Sequence, residues 1–166
     1  VILSTIQIPA NGDTVLNKSL SALGLILMSI TSYAASPERQ YIEPPGYDAA
    51  TSPPFSNGVM TGNVFYVAGH IGLDAATGQA AADPETEARL VMDAVAKTLS
   101  QAGLTMDDLV SVTIYCTDLD LYAKFNTVYR GYFHGHFPAR AFIGVAKLVR
   151  GAHFEIAGTA VKPKHR

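Results

Sequence analysis

Residues 136–161 read HFPARAFIGVAKLVRGAHFEIAGTAV, and the two halves of this stretch predict two successive β-strands. Pro138 breaks what precedes it. One strand-like run then covers 140–148 and a second covers 153–161. Arg140 stands at the mouth of the first run, and Glu155 lies within the second. A guanidinium so placed can hold a planar carboxylate through two parallel hydrogen bonds, and a carboxylate facing the same space can position a water. The pair predicts a site for a small carboxylic acid that undergoes hydrolysis. The same spacing also fits an inter-strand salt bridge between Arg140 and Glu155 that does no more than hold the sheet together, and spacing alone leaves both readings open.

Upstream, the patterns stay regular back to about Phe55. Residues 118–132 predict a helix capped by Asp118, with Leu121, Tyr122, Phe125, Val128, Tyr129 and Tyr132 on its apolar face. Val110, Val112, Ile114 and Cys116 alternate with Ser111, Thr113 and Tyr115, the period of a strand. Asp83-Pro84-Glu85 is a helix start, with a side-chain cap, a proline at the first position and an acid in the first turn. Ala88, Val91, Met92, Val95 and Leu99 follow on one helical face, and Gly103 closes it. Residues 59–61 and 64–68 read as a hairpin around Gly62-Asn63, and DAATG at 74–78 as a tight turn. The order ββ, helix, strand, helix, ββ predicts an α+β domain with both helices on one sheet face. The other face is then open, and Ile143, Val145, Phe154 and Ile156 are candidates to pack there against other subunits.

Composition narrows the function. With 48% hydrophobic and 16% charged residues, the 166-residue chain is a packed globular protein rather than a disordered one. Its formal charge of −2 gives no basic excess for gripping nucleic-acid phosphates. Lys162, Lys164 and Arg166 form a short solvated tail. Cys116 sits in an apolar strand and reads as a small buried hydrophobe rather than a reactive thiol. His70, His134, His136 and His153 invite a metal reading, but no CxxC or HExxH accompanies them, and no metal is expected. GxSxG and glycine-rich phosphate loops are absent from the sequence.

Residues 15–36, VLNKSLSALGLILMSITSYAAS, have the layout of a secretory signal peptide: Lys18, an apolar core over 20–30, then small residues before a cut after Ala34. The apolar core is shorter than the roughly 20 residues needed to span a bilayer, so no stable membrane association is expected. Residues 1–14 precede this leader awkwardly, and Val15 is the expected initiator. The chain then divides into a leader at 1–35, an extended Pro-rich lead-in at 36–54 without a core of its own, and a folded domain at 55–166. A cleaved leader places the domain in the periplasm or outside the cell; an uncleaved one leaves it cytoplasmic.

Three segments together carry a family resemblance: GNVFYVAGHIG with the DAATG turn, VSVTIYCTDLDLYAKFNTVYRGYF, and HFPAR with GAHFEIAGTAV. From about Pro54 to Val161 the chain resembles the YjgF/RidA family of reactive-intermediate (enamine/imine) deaminases. The resemblance implies a chorismate-mutase-like α+β subunit with a mixed sheet and two helices. It implies a homotrimer around a central β-barrel, with active sites between subunits. It implies hydrolysis of 2-imino or 2-aminoacrylate-type acids to 2-keto acids and ammonia, without metal or organic cofactor. By position, Arg140 is implied to bind the substrate carboxylate and Glu155 to serve the water. Asn126 is implied in the pocket, with Gly69 and the backbone at Phe142 lining it.

Several positions depart from the family pattern. Phe55 stands where a tyrosine is expected, Ala68 replaces a serine, His70 a glutamine, and Phe142 a small residue. These changes make the pocket less polar and bear on which substrate it takes. Competing with the hydrolase is a non-catalytic trimer that binds a small carboxylate or shields unfolded proteins, the reading that Phe55, Ala68 and Phe142 favour. A ribonuclease, an older label for the family, fits poorly with the acidic balance and the lack of a basic aromatic groove.

Overall fold

The computed structural model describes residues 37–164; the expected leader, residues 1–14 and Arg166 lie outside the described residues. One six-stranded sheet organises the domain: β1 (Arg39–Ile42), β2 (Gly58–Thr61), β3 (Val64–Ile71), β4 (Leu109–Cys116), β5 (Ala139–Gly144) and β6 (Phe154–Val161), in spatial order β1-β2-β3-β6-β4-β5. All neighbours are antiparallel except β4 and β5. A parallel pair needs a long crossover. Residues 117–138 supply it, and they contain helix α2 (Tyr122–Arg130). Helix α1 (Pro84–Gln101) connects β3 to β4.

The lead-in contributes more than its composition predicts. Residues 39–42 pair with β2, and Ile42 is buried. The polar, Pro-rich sequence around this strand hides it, because a four-residue edge strand needs only one inward side chain.

Asp83 caps α1 as expected, accepting from the Thr86 N–H at 2.9 Å. Ala88, Val91, Met92, Val95 and Leu99 form its fully buried face against β3 and β6. Gly103 follows with φ +71, the left-handed turn that ends a helix. Asp118 caps a short 3-10 turn, Leu119–Leu121, that leads into α2, so the cap acts one turn earlier than the α-helix itself. Phe125, Val128 and Tyr129 of α2 are buried, whereas Tyr122 is exposed.

Two details of the strand reading change. Val110 is exposed, not inward, because the pairing of β4 with β6 slips between Leu109 and Ser111 and turns it outward. Phe154 and Ile156, expected on the open face, are fully buried on the helix side, each aligned with an inward residue of β4. Ile143 does face the open side with Tyr66, both exposed.

The two C-terminal strands are not neighbours. After Gly144 the chain leaves the sheet and reverses through a 3-10 turn, Val149–Gly151. It returns as β6, which lies between β3 and β4. Buried Glu87 of α1 fixes the start of β6: its carboxylate accepts from the backbone N–H groups of His153 (2.6 Å) and Phe154 (2.9 Å) and lies 2.6 Å from His153 Nδ1. A buried carboxylate is tolerated because these bonds replace its lost hydration.

Candidate functional site

The register decides where the two key residues go. Arg140 aligns with Val112 of β4, a residue buried toward the helices. Glu155 aligns with Tyr115 of the same strand. Positions 112 and 115 have opposite parity, so Arg140 and Glu155 point to opposite faces of the sheet. Two strand spacings of about 4.8 Å and three residues of about 3.3 Å put their Cα atoms on the order of 14 Å apart. Within one subunit they neither share a space nor form the inter-strand salt bridge. The expectation that they face the same space fails because β6 returns on the far side of β4.

Each residue instead belongs to a separate cavity. Arg140 lines a cavity of ≈ 220 Å³ with Tyr122, Asn126, Tyr129, Arg130, Phe137 and Pro138. Tyr122, Asn126 and Tyr129 recur at helical spacing on α2, so one stripe of the helix faces the arginine. The Arg140 guanidinium donates to Asn126 Oδ1 at 2.8 Å and to the Tyr122 hydroxyl at 3.3 Å. Its carbon lies 4.7 Å from the Tyr129 ring centre and 5.7 Å from that of Tyr122. Aromatic faces and a neutral amide hold the cation without neutralising it. Among the described residues no carboxylate pairs with it. Hydrogen bonding to Asn126, together with the charge of Arg140, holds the Tyr122 phenol below its ordinary pKa. Burial pushes the Tyr129 phenol up to about 12, against the opposing charge of Arg140.

The Phe142 side chain, as distinct from the backbone implied to line the pocket, turns to the core. Its ring packs edge-on against Tyr122 at 5.0 Å and against Phe125 at 5.6 Å, joining the edge of the core. It lines neither cavity, so the larger side chain is absorbed by the aromatic cluster rather than filling the pocket.

Glu155 lines a second cavity of ≈ 580 Å³ with Phe55, Asn57, Ala68, Gly69, His70 and Arg150 among its walls. A β-bulge shapes this side: Ala68 and Gly69 together oppose the single residue Ala157, between the aligned pairs Val67–Gly158 and His70–Ile156. The Glu155 carboxylate lies directly over Gly69, where a Cβ would overlap its Oε1. Glycine is required there by close approach rather than by backbone angle. Burial lowers the His70 pKa, and a backbone hydrogen bond at Asn57 works against that shift. Phe55 is exposed at the cavity rim.

Thus the structure groups Phe55, Gly69 and Glu155, groups Arg140 with Asn126, and keeps the two groups apart. Tyr129, Phe137 and Arg150 join the cavity walls without having been singled out. The i, i+4, i+7 spacing of Tyr122, Asn126 and Tyr129 is the signal that could have found the first of these. The remaining candidates for chemistry are dispersed. His153 is held by Glu87 and His134 by Asp107 at 3.2 Å. Cys116 is fully buried with its thiol on the Asp118 carbonyl, and burial raises its pKa.

Comparison with known proteins bears on this arrangement. Residues 47–162 match the family profile Endoribonuclease L-PSP. The 2-iminobutanoate/2-iminopropanoate deaminase of Escherichia coli is 35% identical over 112 residues, 66% of this chain and 88% of that protein. The crystal structure of the Escherichia coli YjgF gene product superposes with a TM-score of 0.66 at 32% identity, covering 75% of this chain and 99% of that one. The structure of Escherichia coli TdcF with bound serine superposes with a TM-score of 0.65 at 29% identity, covering 78% and 99%. The match takes in β2 through β6, both helices and both cavities, and the chain belongs to the Endoribonuclease L-PSP family, the YjgF/RidA group.

Proposed function

We propose that the protein hydrolyses small 2-imino carboxylic acids to 2-keto acids and ammonia, in sites formed where the Arg140 cavity of one subunit meets the Glu155 cavity of another in a homotrimer. The observation that carries this reading is the un-neutralised Arg140 guanidinium, held on Asn126 and Tyr122 beside an open cavity. A cation fixed in that way is a receptor for an anion supplied from outside the chain. Kinship with a 2-iminobutanoate/2-iminopropanoate deaminase and with a TdcF that binds serine makes a small amino-acid-like carboxylate the matching anion. The open sheet face carrying Tyr66 and Ile143 is the surface that such an assembly would cover.

The guanidinium holds the substrate carboxylate and so fixes the imine carbon next to a water on Glu155, replacing a random encounter with a positioned one. Glu155 accepts a proton as the water oxygen bonds to that carbon and the C=N π pair moves onto nitrogen. Glu155 returns that proton to the nitrogen; the carbinol O–H then gives up its own proton, through Glu155, to the same nitrogen, and as the C=O bond forms the C–N bond breaks and ammonia leaves. Every group needed is a side chain or a water.

The test generates imino acids in place with an amino-acid oxidase and traps what remains with semicarbazide. The wild-type chain is expected to speed imine loss, and Arg140→Ala to lose roughly a thousandfold or more, the scale of removing both positioning and charge stabilisation. Equal rates for wild type and Arg140→Ala across several imino acids would return the protein to the reading of a carboxylate-binding trimer.

A further inference from the structure

Arg150 is the only non-glycine residue with positive φ among the described residues, at φ 55 and ψ 22. A side chain in that left-handed region is strained, and strain of this kind persists only where the surrounding structure over-determines the conformation. The tight turn of 149–151 holds its backbone. Its side chain reaches back to the turn at 74–78, where Nη1 donates to the Gly78 carbonyl at 3.0 Å. One guanidinium nitrogen is thereby anchored. The group still lines the ≈ 580 Å³ cavity that Glu155 also lines, and no carboxylate forms an ion pair with it among the described residues.

The position matters because of what Glu155 does to a ligand. A carboxylate in the cavity wall repels any second negative charge on a substrate, so a site that took only neutral side chains would need no cation here. The cavity is also larger than a two-carbon side chain requires; its volume lies within the range of about 300–1,000 Å³ usual for whole small-molecule sites. We infer that Arg150 is a specificity-determining residue that receives a second carboxylate at the far end of the substrate, so that the preferred substrates are 2-imino dicarboxylic acids. The inference rests on the imine-hydrolase reading above. Arg140 takes the carboxylate next to the imine carbon, Glu155 serves the water, and the substrate chain runs on along the Glu155 side to the anchored guanidinium.

The test compares two substrates of equal length that differ only in the terminal carboxylate: the imines formed by oxidase from glutamate and from norvaline. The ratio of their kcat/KM values is expected to favour the diacid in the wild type and to fall about tenfold or more in Arg150→Gly, the loss of one charge-assisted hydrogen-bonded contact. Glycine accepts φ 55 without strain, so this variant removes the cation while relaxing the turn, and misfolding does not explain a change. An unchanged ratio overturns the inference. Calorimetric binding of 2-oxoglutarate against 2-oxopentanoate reads the same contact without turnover. If the wild type hydrolyses neither imine, the hydrolase reading falls, and tighter diacid binding that disappears in Arg150→Gly still establishes the contact. Equal affinities for the two keto acids sink it.

Discussion

The two cavities, the halves of the proposed site, are built in opposite ways. Arg140 is held by side-chain packing: it lies against Tyr122, Asn126 and Tyr129 of α2, a helix whose Phe125 is fully buried, with ring centres 4.8 Å from Phe154 and 5.6 Å from Phe142. Glu155 is held by backbone irregularity: a bulge at Ala68-Gly69, a glycine beneath the carboxylate, and turns at 74–78 and 149–151. The first arrangement couples the site to the core, so disturbing it costs stability. The second sits on a sheet face with little packed above it, so disturbing an exposed side chain there costs little stability. In the proposed site, such a division lets the chemistry vary on the loop side while the position of Arg140 stays fixed by the fold.

The strongest way to break this contrast is Glu155→Gln. If Glu155 takes the proton from water, kcat falls by roughly 10²- to 10⁴-fold, while the melting temperature stays where it was, because no ion pair depends on that carboxylate among the described residues. A fall in melting temperature together with the rate would make Glu155 a structural residue. Co-refolding this variant with Arg140→Ala sharpens the point. Each variant alone lacks one half of every site, and a mixed assembly pairs the intact halves across a subunit boundary. Recovered activity in the mixture supports sites shared between subunits, and an inert mixture counts against them.

On the other half the expected loss is in stability. Phe125→Ala empties the centre of the aromatic cluster and should cost about 3–5 kcal/mol in urea unfolding. Val149→Ala, at a residue 67% exposed on the rim of the Glu155 cavity, should stay within about 0.5 kcal/mol. Similar costs at both positions would erase the distinction between a packed half and a backbone-built half.

Most of the fold is legible in the sequence because its elements are periodic. The face of α1 is spelled by Ala88, Val91, Met92, Val95 and Leu99, and all five are buried. The hairpin at Gly62-Asn63 and the cap at Asp83 follow from local chemistry that needs no tertiary context. What periodicity does not encode is which strand lies beside which. Arg140 and Glu155 are close in sequence and belong to consecutive strands, yet a single β-strand separates them in space, and no local pattern announces that β6 will slot between β3 and β4. The same blindness hid the bulge that turns Val110 outward, the edge strand at 39–42, and the absorption of the Phe142 ring by α2. Each is a long-range pairing or packing event. Local signals name the residue types of a site, and strand order decides which of them meet.

The smallest expected effect tests whether the loop-side half is as independent of the core as the contrast holds. His70 occupies the bulge end of β3, and burial keeps its imidazole pKa below the ordinary value. The unfolded chain takes up a proton near pH 6.5, whereas the folded protein resists doing so. The stability contributed by neutral, partly buried His70 is therefore fully present above the unfolded value and is lost as pH falls through 6.5 toward the lower folded value. His70→Gln removes that titration, so its melting temperature should decline less steeply than the wild type's between pH 7 and pH 5. His153 keeps its contact with Glu87 in both proteins, so it does not distinguish them. Parallel curves would mean that the bulge opens to admit the proton at little cost. The Glu155 half would then be more loosely joined to the core than its hydrogen bonds at Asn57 imply.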